Sequence, residues 1–164
     1  LGLNVKLNYK NFDLGMFFNG NFGNDIYNLT KYKTQFFNQS AYNKDSSLLG
    51  AWTPENPNSD IARLSLDDAN NNIRPSSYYV ENGSYLKLNN LQLGFTLPEY
   101  VLSVANLRLY VQASNVFTIT DYSGMTPEIG LQNYSSSSRN LDIGVDRGIY
   151  PPSRTFVFGF NLNF

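Results

Sequence analysis

Across 164 residues, 12 lysines and arginines face 13 aspartates and glutamates, so no broad basic surface exists to recruit nucleic acid. The chain has neither cysteine nor histidine, which removes disulfides, thiolate or imidazole metal sites, thiol nucleophiles and Ser-His-Asp catalysis. Charged and aromatic residues each make up 15 %, a balance unusual for a soluble domain, and no apolar run nears the ~20 residues of a transmembrane helix.

Leu1 opens inside a strand pattern with neither Met nor signal peptide, so the chain reads as a piece of something longer. Leu3, Val5, Leu7 and Tyr9 alternate with Asn4, Lys6 and Asn8. After a tight turn at Lys10-Asn11, Phe12, Leu14, Met16 and Phe18 alternate with Asp13, Gly15, Phe17 and Asn19. A period of two puts each set on one face of a strand, so residues 3–9 and 12–20 are expected to form a hairpin with one apolar and one mainly polar face. Residues 21–83 then form a long excursion, read as irregular apart from a short helix near 29–38. A soluble domain rarely tolerates so long a connection.

Asn82-Gly83 marks a turn into a third strand over 84–97. Its parity breaks: Leu86 and Leu88 are even, whereas Leu91, Leu93, Phe95 and Leu97 are odd. Either a bulge at Asn89-Asn90 restores one apolar face, or only residues 91–97 belong to the apolar crossing. Pro98 closes this strand. A fourth, over 105–117, places Leu107, Leu109, Val111, Ala113 and Phe117 on one face and Arg108, Tyr110, Gln112 and Ser114 on the other. A second excursion fills 118–152. The final strand, 153–164, sets Phe156, Phe158, Phe160, Leu162 and Phe164 against Thr155, Val157, Gly159, Asn161 and Asn163.

Connections therefore run short, long, short, long, the signature of a transmembrane barrel with short periplasmic turns and long extracellular loops. Lipid would cover the oily faces without further protein, and the polar faces would line a wet lumen. Five strands cannot close a ring whose smallest versions have about eight. Open edges within hydrocarbon would leave unpaired amides at several kcal/mol each. The chain is thus expected to pair with further strands at both edges.

The runs AWTPENPNSDI, SSYYVENGSYLKLNNLQLGFTLP, LRLYVQASNVFTITDYSGMTPE and VDRGIYPPSRTFVFGFNLNF resemble the C-terminal end of SusC/RagA-type TonB-dependent transporters. The resemblance is dense from Trp52 to Phe164 and thinner over residues 1–28. It implies an all-β fold: the last five strands of an antiparallel outer-membrane barrel of about 22 strands. It also implies an N-terminal plug and energy-coupling segment elsewhere in the protein, a SusD-like surface lipoprotein as lid, and the TonB complex as energy source. The implied activity is import of oligosaccharides or oligopeptides through the outer membrane of a Gram-negative bacterium, with no enzyme chemistry and no cofactor. A structural subunit of a larger outer-membrane assembly and a soluble carbohydrate-binding β-sandwich are the alternatives.

Trp52, Pro54, Glu55, Asn56 and Pro57 lie on the first excursion, where exposed aromatic residues can anchor a lid or shape a cavity rim. Packing of Trp52 against its own loop is the bland alternative. Tyr78, Tyr79 and Tyr85 cluster before the third strand and suit either sugar stacking or an interfacial aromatic belt, the belt being favoured. Asp142, Gly144, Asp146 and Gly148 lack the EF-hand pattern, so no metal is expected, and Asp146 with Arg147 is expected to order the loop before the last strand. Asp67-Asp68 point apart in extended chain and do not suit paired-carboxylate hydrolysis. Sequons at Asn28, Asn38, Asn82 and Asn133 are expected to be incidental. Phe164, an aromatic terminus on an alternating strand, matches the barrel-assembly signal of outer-membrane proteins.

Overall fold

The structure is a computed structural model that describes residues 1–36, 43–98, 105–130 and 143–163. In chain order its elements are β1 (Gly2–Tyr9), β2 (Phe12–Asn21), β3 (Asp25–Asn28), α1 (Leu29–Gln35), β4 (Val80–Asn82), β5 (Tyr85–Thr96), β6 (Asn106–Thr120), β7 (Val145–Asp146) and β8 (Thr155–Asn163). Two short 3-10 turns occupy Ser46–Gly50 and Ser77–Tyr79. The chain divides into two compact units. One comprises Leu1–Asn24, Gly83–Asp121 and Pro151–Phe164; the other comprises Asp25–Asn82 and Tyr122–Tyr150.

The first unit is a five-stranded antiparallel sheet in the order β1-β2-β5-β6-β8. Its register aligns the apolar parity of every strand into rows. One row runs Tyr9, Phe12, Phe95, Leu109, Phe160; the next runs Leu7, Leu14, Leu93, Val111, Phe158; a third runs Val5, Met16, Leu91, Ala113, Phe156. Because side chains alternate across a strand, each row lies on the same face. That face is open: Phe158 is 79 % exposed and Leu93 45 %. Phe12 and Phe95 add a tilted ring contact at 4.8 Å.

Of the two readings of β5, the structure adopts the bulge. Phe17 pairs with Asn90 but Phe18 with Leu88, so Asn89 is skipped and the apolar set changes parity without changing face. On the β6 side the ladder passes from Ser114–Asn90 to Phe117–Leu88. Asn115 absorbs the extra length at φ 54°, the left-handed region that asparagine tolerates better than most residues. Its side-chain amide donates to the Ser153 carbonyl at 2.8 Å. Phe117 and Ile119 then rejoin the ladder opposite Leu88 and Leu86, and β6 therefore continues to Thr120.

The second unit corrects the reading of the first excursion as irregular apart from a helix, and of the second as a plain loop. They share a three-stranded sheet in the order β4-β3-β7, in which β3 runs antiparallel to β4 and parallel to β7. Strands of four, three and two residues are too short to leave a periodic signal, and the β3–β7 partnership joins segments far apart in sequence. Ile26 is the most fully buried side chain there, with Leu48, Ala51, Tyr79 and Tyr122 also buried. The helix expected near 29–38 occurs as α1, capped by the Asn28 side chain accepting from Lys31 N–H at 2.8 Å.

Candidate functional site

On the polar face of the large sheet, Asn8, Asp13, Gly94, Tyr110 and Gly159 share one row. Arg108 reaches over β5 to Asp13, donating through Nε at 2.9 Å and Nη2 at 2.5 Å. The bond clamps three strands, and it passes above Gly94, where any Cβ would collide with both partners. Bidentate guanidinium–carboxylate geometry fixes both side chains along a face that also carries Asn90, Gln92, Gln112 and Ser114.

The loop unit is held by two polar knots. In the first, Glu81 accepts from Ser123 Oγ at 2.9 Å, Ser123 N–H at 3.0 Å and Lys31 Nζ at 3.1 Å. Buried Asn28 donates to Ser123 Oγ at 3.2 Å. Burial by itself raises the Glu81 carboxyl, but the Ser123 hydrogen bonds and Lys31 outweigh it and hold the group below its ordinary value. In the second, Tyr122 donates its hydroxyl to buried Asp146 at 2.6 Å, and Asp146 also accepts from Gly148 N–H at 2.8 Å and Ile149 N–H at 3.2 Å. Burial, then the Asp146 carboxylate, drive the Tyr122 phenol strongly upward. Asp146 is thus the organiser of the turn, with Gly148 at φ 99° completing it.

The expected site residues separate into groups. Glu55 and Asn56 are exposed on a turn closed by a Thr53–Asn56 bridge, and the Asn56 side chain donates to the Gly50 carbonyl at 3.0 Å. Trp52 is half-buried, its N–H donating to the Ile61 carbonyl at 2.9 Å. Tyr79 is only 3 % exposed, enclosed by the rings of Tyr27, Tyr32, Phe36 and Tyr78 at centroid distances of 5.0–6.0 Å. Its burial pushes the phenol strongly upward and gives it a packing role rather than a stacking surface. Tyr78 is 40 % exposed, with Lys31 Nζ 4.5 Å from its ring centroid. Tyr85 begins β5 in the other unit.

Asp68 spends its carboxylate on the backbone N–H groups of Asn72 and Ile73 at 2.8 and 3.0 Å, which makes it a turn former. Asn28 is consumed as helix cap and Glu81 neighbour, and so is no accessible sequon. Asn38, Asn133, Asp142 and Phe164 lie outside the described residues. No group of three or more acidic, His or Cys residues able to hold a metal occurs among the described residues. Sequence reasoning missed Lys31, Glu81, Tyr122 and Ser123, because each meets its partner across tens of residues and no local motif announces the pairing.

No family model matches the chain. It is 39 % identical over its whole length to TonB-dependent receptor P3 of Formosa agariphila, spanning 16 % of that protein. To TonB-dependent receptor SusC of Bacteroides thetaiotaomicron it is 26 % identical, again over its whole length and spanning 15 % of that protein. A solved structure of the RagAB peptide transporter matches 99 % of the chain and 17 % of its own, at 30 % identity and a TM-score of 0.79. The chain thus spans about one-sixth of the curated relatives it matches.

Proposed function

Starting from a chain that belongs to the SusC/RagA-type TonB-dependent receptors, we propose that it supplies five neighbouring strands and two outer loops of an outer-membrane transporter. The observation that carries this reading is the row-by-row apolar face, open across all five strands while the opposite face is polar and bears the Asp13–Arg108 pair. The apolar face meets lipid and the polar face lines the lumen. The free edges of β1 and β8 pair with other strands of a barrel of about 22, enclosing an N-terminal plug. The TonB complex supplies energy, and a SusD-like lipoprotein caps the outer end.

In this reading the loop unit stands on the extracellular side. Trp52, Glu55, Asn56 and Tyr78 meet the lid or the cargo, and Tyr79 supports Tyr78 from behind. Phe164 serves as the barrel-assembly signal. The cargo is an oligosaccharide or oligopeptide. Fractionation of the full-length protein and uptake of labelled oligosaccharides and oligopeptides, with and without TonB, test the proposal. A heat-modifiable outer-membrane species, TonB-dependent uptake and a lower membrane level after deletion of Phe164 are expected. A water-soluble protein, or uptake indifferent to TonB, overturns the transporter reading; unchanged assembly without Phe164 overturns its signal role.

A further inference from the structure

We propose that the loop unit carries a ligand groove of its own, running between Trp52 and Tyr78 and built for an anionic oligosaccharide. Two cavities of about 250 and 570 Å³ adjoin there and share the wall formed by residues 60–63. Trp52 lines one and Tyr78 the other, so an aromatic ring serves each half. The larger cavity falls in the range of known ligand sites, roughly 300–1,000 Å³, and the smaller lies just under it. Aromatic rings in such a groove offer flat apolar platforms to the C–H faces of sugars, while polar neighbours address the hydroxyls.

The groove is preformed by the chain's own hydrogen bonds. Trp52 N–H to Ile61 and Ser59 Oγ to the Gly50 carbonyl at 2.6 Å brace one wall. Asp68, accepting from Asn72 and Ile73, braces the other. Tyr78 is fixed edge-on to Tyr79 at 5.0 Å and 90°, with Lys31 against its ring. Little ordering therefore remains to be done on binding, which favours affinity.

Free donors decide the ligand class. The lining balances Arg63 and Arg74 against Asp60 and Asp68, but Asp68 is turned onto backbone amides, whereas Arg63 and Arg74 line the groove with no hydrogen bond or ion pair to any described residue. Two guanidinium groups without a partner leave their fork of donors open, so the groove favours carboxylate or sulfate substituents, which guanidinium binds in bidentate fashion. Asn72 and Asp60 are left for hydroxyl groups. A peptide would be read chiefly through main-chain pairing at a strand edge, and neither wall, residues 59–65 or 68–74, contains a named strand.

This inference rests on the transporter reading only for the protein to be tested, the full-length chain in detergent. Titration calorimetry with tetragalacturonate, a sulfated carrageenan tetrasaccharide, maltotetraose and tetraglutamate separates the alternatives. At least one anionic tetrasaccharide is expected to bind, more weakly as salt is raised, and to lose on the order of tenfold in affinity in the Arg63→Ala/Arg74→Ala variant. Trp52→Ala weakens it too, and Arg63→Lys/Arg74→Lys retains part of the affinity. Unaltered heat-modifiable migration of each variant shows that the barrel still folds. Absence of anionic-sugar binding, binding indifferent to both substitutions, or preference for maltotetraose or tetraglutamate overturns the groove. Sugar binding without TonB-dependent uptake counts against the transporter reading alone.

Discussion

A methyl group at position 94 would strike both the Asp13 carboxylate and the Arg108 guanidinium, so the missing side chain of Gly94 is a condition of the pair that spans β2, β5 and β6. Gly94→Ala is expected to break it at a cost of about 1 kcal/mol, the upper range for a solvent-touched ion pair. Asp13→Ala should then cost far less in the Gly94→Ala background than in the wild type, measured as urea unfolding of the full-length protein in micelles. Equal costs in both backgrounds would mean that the glycine and the pair are independent. Nothing in the sequence around Asp13 or Arg108 points to the other, since the partners are 95 residues apart. The bulge at Asn89-Asn90 was half legible by contrast: the parity break between Leu88 and Leu91 raised it as one of two readings, and only the register chose it.

At the scale of elements, alternation carried the large sheet and failed in the small one. β1, β2, β5, β6 and β8 are long enough for five or more side chains to display a period of two. β3, β4 and β7 are not, and they lie beside long-range knots such as Ser123–Glu81 and Tyr122–Asp146. The large sheet predicts an asymmetry between neighbouring residues of β5. Leu93→Arg puts a charge on the apolar face and is expected to destabilise by about 2–4 kcal/mol, whereas Gln92→Arg, on the polar face, should stay within about 0.5 kcal/mol. Urea unfolding in lipid vesicles measures both, and similar costs would deny the faces different surroundings.

The small sheet predicts a pH response. The Glu81 carboxyl is held below its ordinary value of 4.5, so its contribution is fully present above that value and is lost as pH falls through the folded-state value. Amides of β3 and β4, corrected for intrinsic exchange, should lose protection as pH drops below 4.5, and Glu81→Gln should flatten that part of the profile. The Asp45 carboxyl, lowered by its Ser47 hydrogen bonds, adds a similar loss near Ser46–Gly50, which leaves the Glu81 effect separable by position. Protection in β3 and β4 that ignores pH over this interval would remove the Glu81 knot as their support.

For the molecule as a whole, the decisive quantity is what surrounds the two sides of the five-stranded sheet. A water-soluble sandwich would cover the apolar side with a second sheet. Here Phe156, Phe158 and Phe160 are each more than two-thirds exposed, and burying such a side chain is worth about 1.5–3 kcal/mol. The proposed lipid surroundings would cover that surface, and the chain is similar to TonB-dependent receptors. Spin labels placed singly along residues 107–113 of the full-length protein in liposomes measure this directly, through collision with lipid-soluble oxygen and a water-soluble nickel chelate. Oxygen access is predicted to peak at positions 107, 109, 111 and 113 and nickel access at 108, 110 and 112; access in phase for both reagents, or nickel reaching position 111 as freely as 112, would contradict it.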